Sequence, residues 1–437
     1  MAELASAPRA RRIESLDFIR GCALFGILLM NIVGMGLGPA YDNPTVLGGD
    51  TGINLQTWYF YNVGFEGTQR GLFSILFGAG IILFSSRAEE SGRPDHADLY
   101  VRRQLWLILF GLINAWLLLW YGDILYFYGI TALFLYAFRK LSGKVLLALG
   151  IGAFVLGAAW TGLETSNLLA KHALSEQAAN VPEADRTEAQ NQAISDWERS
   201  SSIAPPPDAV EQMMKDNRAG YLSAQRSLAP TIIYFETWIL FRYFFDIFGM
   251  MMIGMALFKL GILTLERSTH IYLAMMIGGY GIGLPLNLYE ANWIMANDFS
   301  GLAYHQANIT YDFSRLTMTT GHLGLLLLFV RSGWFGILRR SMAAVGRMAL
   351  TNYLTHSVVA LIIFYLLGYW GTLERHQLYY IVFTVWLVQI VVSPIWLKYF
   401  HFGPVEWVWR YLTYLKAPPF RKSDPGARIG VTPAPAG

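Results

Sequence analysis

Residues 16–37, LDFIRGCALFGILLMNIVGMGL, decide the fold. A membrane-spanning helix needs about 20 mostly apolar residues, and this stretch supplies them, interrupted only by Asp17, Arg20 and Asn31. Arg9, Arg11 and Arg12 precede it and resemble the basic start of a secretion leader. The apolar run is too long for a leader, carries charge and lacks a small-residue cleavage site, so it reads as a retained helix. The same pattern recurs along the chain, at 70–86, 104–121, 123–138, 144–163, 238–258, 271–289, 313–330, 348–370 and 377–397. The expected fold class is therefore all-α and polytopic, with about ten transmembrane helices.

Composition agrees. Of the 437 residues 54% are hydrophobic and only 14% charged, against roughly 25% charged in soluble domains. The net charge of +3 is small, but its distribution is informative. Basic residues gather before the first span, between the second and third (Arg87, Arg93, Arg102, Arg103), after the fourth (Arg139, Lys140, Lys144), after the sixth (Lys259, Arg267), after the eighth (Arg331, Arg339, Arg340, Arg347) and in the tail. The alternate short connections, 39–69, 290–312 and 371–376, are nearly free of them. By the positive-inside rule ten spans place both termini in the cytoplasm. The chain then divides into an N-terminal segment 1–15, a five-helix half 16–163, a long extracytoplasmic loop 164–230, a second half 231–415 and a disordered tail 416–437. The loop is rich in Ala, Glu and Gln and broken by Pro205, Pro206 and Pro207. It reads as a solvated insertion or as a cap over an outward-facing site, the insertion being the commoner case.

The single cysteine, Cys22, excludes an intramolecular disulfide and a cysteine metal cluster, and the eight histidines lack metal-site spacing, so no metal is expected. Ionisable groups inside apolar spans are costly and mark candidate sites. Asp17 and Arg20 share a face, as do Glu66 and Arg70. Asp123 marks a hairpin tip, where it can cap a helix. Arg242 and Asp246, four apart, are expected to pair. Arg315, Thr319 and His322 line one face of the eighth span, and Asn352 and His356 one face of the ninth. For every one of these a structural pair or a packed polar group is the plainer reading.

Six stretches carry a resemblance. RIESLDFIRGCALFGILLMNI (12–32), FSILFGAGI (73–81), YGDILYFYGI (121–130), GMMMIGMALFKLGIL (249–263), GRMALTNYL (346–354) and FGPVEWVWR (402–410) resemble the bacterial YeiB family. That family is similar in turn to the transmembrane acyltransferase superfamily, which includes heparan-alpha-glucosaminide N-acetyltransferase and the type-3 acyltransferases. The shared mark is Leu-Asp-x-x-Arg-Gly, here Leu16, Asp17, Arg20 and Gly21. The resemblance implies a bacterial inner-membrane protein that moves an acyl group from cytoplasmic acyl-CoA, acetyl-CoA foremost, to a small-molecule, glycan or lipid-linked acceptor. Type-3 acyltransferases place a histidine where this chain has Asn31. The heparan-modifying enzymes also have asparagine there but supply a histidine from the next loop, and residues 32–95 contain none.

Acyl transfer needs a base and donors for the developing oxyanion. The candidate bases are His322, Glu66 and His356. Substrate contacts are expected from Asp17, Arg20, Asn31, Arg70, Asp123, Arg315 and Asn352, with Asn31 and Asn352 as oxyanion donors. Arg102, Arg103, Arg339, Arg340 and Arg347 are candidates for the coenzyme phosphates. The competing reading is a non-enzymatic transporter or lipid-binding protein, whose polar residues line a path. A pocket opening on the basic face favours the enzyme, and a continuous path favours transport. Membrane lipids are expected partners and nucleic acid is not. The oligomeric state stays open, a homodimer included.

Overall fold

The computed structural model describes residues 13–41, 43–90, 94–201 and 204–422. Arg9, Arg11, Arg12, Arg93, Arg428 and the tail beyond 422 lie outside the described residues. The described chain forms helices α1 (Glu14–Leu37), α2 (Gly52–Phe65), α3 (Thr68–Glu90), α4 (His96–Trp116), α5 (Leu125–Leu135), α6 (Gly143–Ala179), α7 (Glu188–Ser201) and α8 (Pro207–Arg218). There follow α9 (Tyr221–Tyr234), α10 (Leu240–Lys259), α11 (Thr269–Ala296), α12 (Gly301–Ser332), α13 (Gly336–Arg347), α14 (Ala349–Ala360), α15 (Arg375–Tyr399) and α16 (Pro404–Tyr414). No strand occurs among the described residues, only an isolated bridge between Phe400 and Arg421.

Every apolar stretch read from the sequence coincides with a helix. Eight helical segments are long and apolar enough to cross a membrane. The other two stretches correspond to α4, whose first turns carry Asp98, Arg102 and Arg103, and to the shorter apolar helix Leu125–Phe138.

Apolar residues surround α1 on all sides, and a helix of that kind belongs in the interior of a bundle. It is buried along most of its length and packs against α3, α13, α14 and α15. Two close crossings fix the bundle, and both join stretches quoted above. A Cβ on Gly346 would lie 1.9 Å from the Asp17 carbonyl oxygen, and one on Gly21 2.2 Å from the Met342 carbonyl oxygen. Likewise a Cβ on Gly254 would lie 2.0 Å from the Ile75 carbonyl oxygen, and one on Gly78 1.9 Å from that of Met251. Small residues let helix backbones approach where lipid supplies no hydrophobic drive for helix association. So the glycines after Arg20 and before Arg347 are needed for packing between α1 and α13.

Another pair of quoted stretches meets at Glu406. Its carboxylate accepts from the Leu350 and Thr351 N–H groups at 2.7 and 3.1 Å and from the Thr351 hydroxyl at 2.5 Å. It therefore caps α14 from α16, satisfying donors that a helix start leaves unpaired. Burial pushes this carboxyl up while the three donors pull it back down. Glu406→Ala should cost about 1–2 kcal/mol by thermal unfolding in detergent, with Glu406→Gln recovering part of it.

Part of the segment read above as tail, residues 416–422, is among the described residues. Residues 416–422 fold back on α15 and α16. Trp407 donates to the Pro418 carbonyl and His401 N–H to that of Phe420, while Phe420 packs on Phe400 and Trp407. The aromatic cluster holds a segment that Pro and Ala content alone would leave loose.

Candidate functional site

Two cavities lie in the half of the bundle towards which α1 runs. The larger, about 530 Å³, extends from Ile27, halfway along α1, to Trp370, Pro205 and Met213 at the far end. Its polar wall is Asn31, Glu66, Gln69, Arg70 and Asp123. Its aromatic wall includes Tyr41, Trp120, Tyr121, Phe235, Tyr243 and Tyr311. The 164–230 segment forms part of the enclosure: Pro205, Met213 and Leu228 line it, and Arg218 donates to the Trp370 carbonyl at 2.7 Å. The smaller cavity, about 200 Å³, is polar and lies between α2, α10, α11 and α12.

Glu66 stands where the two meet. The turn Glu66–Gly67 joins α2 to α3, and its position is set by packing on α12. Tyr41 donates to Glu66 Oε2 at 3.0 Å and Tyr311 to Oε1 at 3.2 Å. Tyr41, Glu66, Tyr243 and Tyr311 line both cavities. Glu66 and Arg70, one helical turn apart, take different partners. The Arg70 guanidinium lies 4.6 Å over the Tyr243 ring, with Nη2 3.7 Å from Asp246.

The expected Arg242–Asp246 pair does not form. Asp246 instead receives both Arg315 terminal nitrogens, Nη1 at 3.2 Å and Nη2 closer still, and Nη2 also reaches Asp312 at 3.2 Å. Arg242 turns away to Glu164 at 2.8 Å and to the Thr161 hydroxyl at 2.7 Å. Adjacency along a helix loses here to a two-pronged contact from another helix, because a guanidinium that is 1% exposed needs a facing carboxylate.

The histidines lie elsewhere. His322 is engaged on both sides, Nε2 with the Gly64 carbonyl at 2.9 Å and Nδ1 with the Tyr280 hydroxyl at 3.0 Å. It braces the end of α2 two residues before Glu66. His356 is buried against Gln389, 3.2 Å away. Neither lines either cavity. Asn352 donates to the Val345 carbonyl and to Ser393. Asp123 lines the large cavity with both oxygens committed, to Asn114, Tyr353 and the Tyr126 N–H that it caps.

Asp17 and Arg20 form an ion pair at 3.0 Å near the start of α1. Arg102 donates to the Thr413 carbonyl, Arg103 stacks 3.7 Å over Trp409, and Arg339 donates to the Val330 carbonyl. None of these, nor Arg340 or Arg347, lines either cavity. Sequence reasoning missed Tyr41, Tyr243, Tyr311 and Glu290 as cavity residues. In a chain that is 15% aromatic, three more tyrosines near polar positions carry no signal.

Buried ion pairs between apolar helices, around cavities that open at one end of the bundle, are features of a multi-pass helical membrane protein. The chain belongs to the YeiB family. It is 31% identical over 424 residues to "Uncharacterized protein YeiB" of Escherichia coli, covering 93% of this chain and 98% of that one. It is 29% identical over 446 residues to "Uncharacterized protein YxaH" of Bacillus subtilis, covering 97% and 99%. Residues 257–416 match the family described as a protein of unknown function, DUF418. No solved structure matches the chain.

Proposed function

We propose that the protein is a membrane acyltransferase whose acceptor enters the large cavity from the extracytoplasmic face and whose base is Glu66. The observation that carries this reading is the position of Glu66: a carboxylate held by two tyrosine hydroxyls, facing a half-open cavity with an aromatic wall, beside Asn31 and Arg70. In this reading the chain crosses a bacterial inner membrane ten times with both termini in the cytoplasm. Acyl-CoA, acetyl-CoA foremost, approaches from the basic face. Ile27 at the cavity floor is seven residues along α1 from Arg20, about 10 Å of helix at 1.5 Å per residue. An extended thioester arm entering beside Arg20 has that distance to cover.

The step balances simply. The acceptor's O–H or N–H proton passes to Glu66 as its heteroatom attacks the thioester carbonyl. The carbon–sulfur bond then breaks, and the departing thiolate takes a proton from water on the cytoplasmic side, which leaves the acceptor's proton on Glu66. Asn31 and Arg70 are the donors available to the developing oxyanion. Asn352, bonded within the bundle, is not used.

The second reading, a transporter or lipid-binding protein without chemistry, draws support from the same aromatic enclosure, since neither cavity reaches Arg102, Arg103, Arg339, Arg340 or Arg347. Titration of the purified protein with acetyl-CoA and longer acyl-CoAs separates the two. The enzyme should show saturable thermal stabilisation, about 2.7 kcal/mol at a hundredfold excess over Kd. No stabilisation at any chain length would leave only the second reading.

A further inference from the structure

The smaller cavity contains a buried carboxyl group that the proposed reaction does not use. Glu290, less than two turns from the end of the apolar helix α11 and 7% exposed, lines it. Its Oε1 accepts from the Thr310 hydroxyl at 2.7 Å. The next residue, Tyr311, donates to Glu66. One dipeptide of α12 thus holds both carboxyl groups, and both border the same polar space. A cavity of about 200 Å³ has room for several waters, each occupying about 30 Å³ in the liquid. An ionised carboxylate has about four acceptor sites, more than Thr310 and Ser314 together can fill.

The surroundings set the charge balance. Glu66 faces Tyr41, Arg70 from α3, Tyr243 and Asp246 from α10, and Tyr311 and Arg315 from α12, with Tyr379 of α15 and its stacked neighbour Tyr61 beyond. Around Glu290 are Thr310, Ser314 and Asp312. Across the cavity, Arg242 is matched by Glu164. The remaining carboxyls, Glu66, Asp246, Asp312 and Glu290, outnumber the guanidiniums of Arg70 and Arg315. Such a cluster can take up and pass on a proton without acquiring net positive charge.

We infer that the smaller cavity is the proton outlet of Glu66, with Glu290 as the group that exchanges protons with it through cavity water. The inference rests on Glu66 being the base. A base that has taken a proton from a bound acceptor must lose it before the next turnover, and the acceptor itself fills the larger cavity. The proton leaves by the other wall: the Glu66 carboxyl gives it to water, and water gives it to the Glu290 carboxylate.

Infrared difference titration of the whole protein in lipid nanodiscs tests this without any acyl donor. The carboxylic-acid carbonyl band lost in Glu66→Gln identifies Glu66. Glu290→Gln should shift the midpoint of that band by about one pH unit, as expected for interacting sites. Thr310→Val, which keeps Glu290 and the packing, should shift it in the same direction by less. An unchanged midpoint in Glu290→Gln, or a Glu66 band that does not titrate, would overturn the outlet. If the coupling is present but no acyl-CoA binds, Glu66 and Glu290 still exchange protons, but the outlet falls together with the acyltransferase reading that it serves.

Discussion

Glu66→Gln is expected to lower acyl transfer by about 10²–10⁴-fold while the protein inserts and unfolds much like the wild type. The amide oxygen can still accept from the Tyr41 and Tyr311 hydroxyls, so the wall between the cavities keeps its shape. What is lost is the ability to take a proton. Tyr41→Phe and Tyr311→Phe should each cost far less, because one hydroxyl still orients the carboxylate. His356→Gln should leave turnover unchanged, since that ring is buried against Gln389 and borders neither cavity. His322→Ala should lower the rate by loosening the Gly64 carbonyl that precedes Glu66. Full activity in Glu66→Gln would remove Glu66 as the base.

The fold was legible because its signal is additive. Twenty apolar residues in a row and arginines on alternate connections need no knowledge of neighbours, so the helical stretches could be drawn from the chain alone. Boundaries were less so. The helix read as 144–163 runs on to Ala179, past its apolar stretch, since Ala, Leu and Glu continue a helix without a membrane around it. The site was only half legible. Glu66, Asn31, Arg70 and Asp123 were named as polar residues in costly places, and they do border one cavity. The pairing of those residues was not readable. Asp246 sits one turn from Arg242, yet its partner is Arg315, 69 positions away. Spacing along one helix ranks local pairs only, and which other helix faces them is a tertiary fact. Tyr41 and Tyr311 were invisible for the same reason: their hydroxyls matter only because the segment after α1 and the first half of α12 both pass beside the Glu66 turn.

Asp246 should be the position where stability is most sensitive to a single charge. Its carboxylate holds both terminal nitrogens of Arg315, which is 1% exposed, and stands 3.7 Å from Arg70. Asp246→Ala leaves Arg315 with Asp312 alone, at 3.2 Å, and Arg70 with no carboxylate in contact. Removing one member of a buried pair costs about 3–5 kcal/mol, because the other charge stays buried without compensation. Deleting both members is milder when an apolar side chain fills the space. Asp246→Ala combined with Arg315→Met should therefore unfold at a higher temperature than Asp246→Ala alone, and the non-additivity measures the coupling. Asp246→Asn should fall between, since the amide keeps one acceptor for the guanidinium. Thermal unfolding in detergent, with the double-mutant cycle, checks the series. Unfolding of Asp246→Ala within about 1 kcal/mol of the wild type would mean that Arg315 finds its compensation elsewhere. If the series holds, the pair joins α10 to α12 directly behind the Glu66 turn, and the cavity wall stays rigid because charges that cannot be hydrated must stay in register.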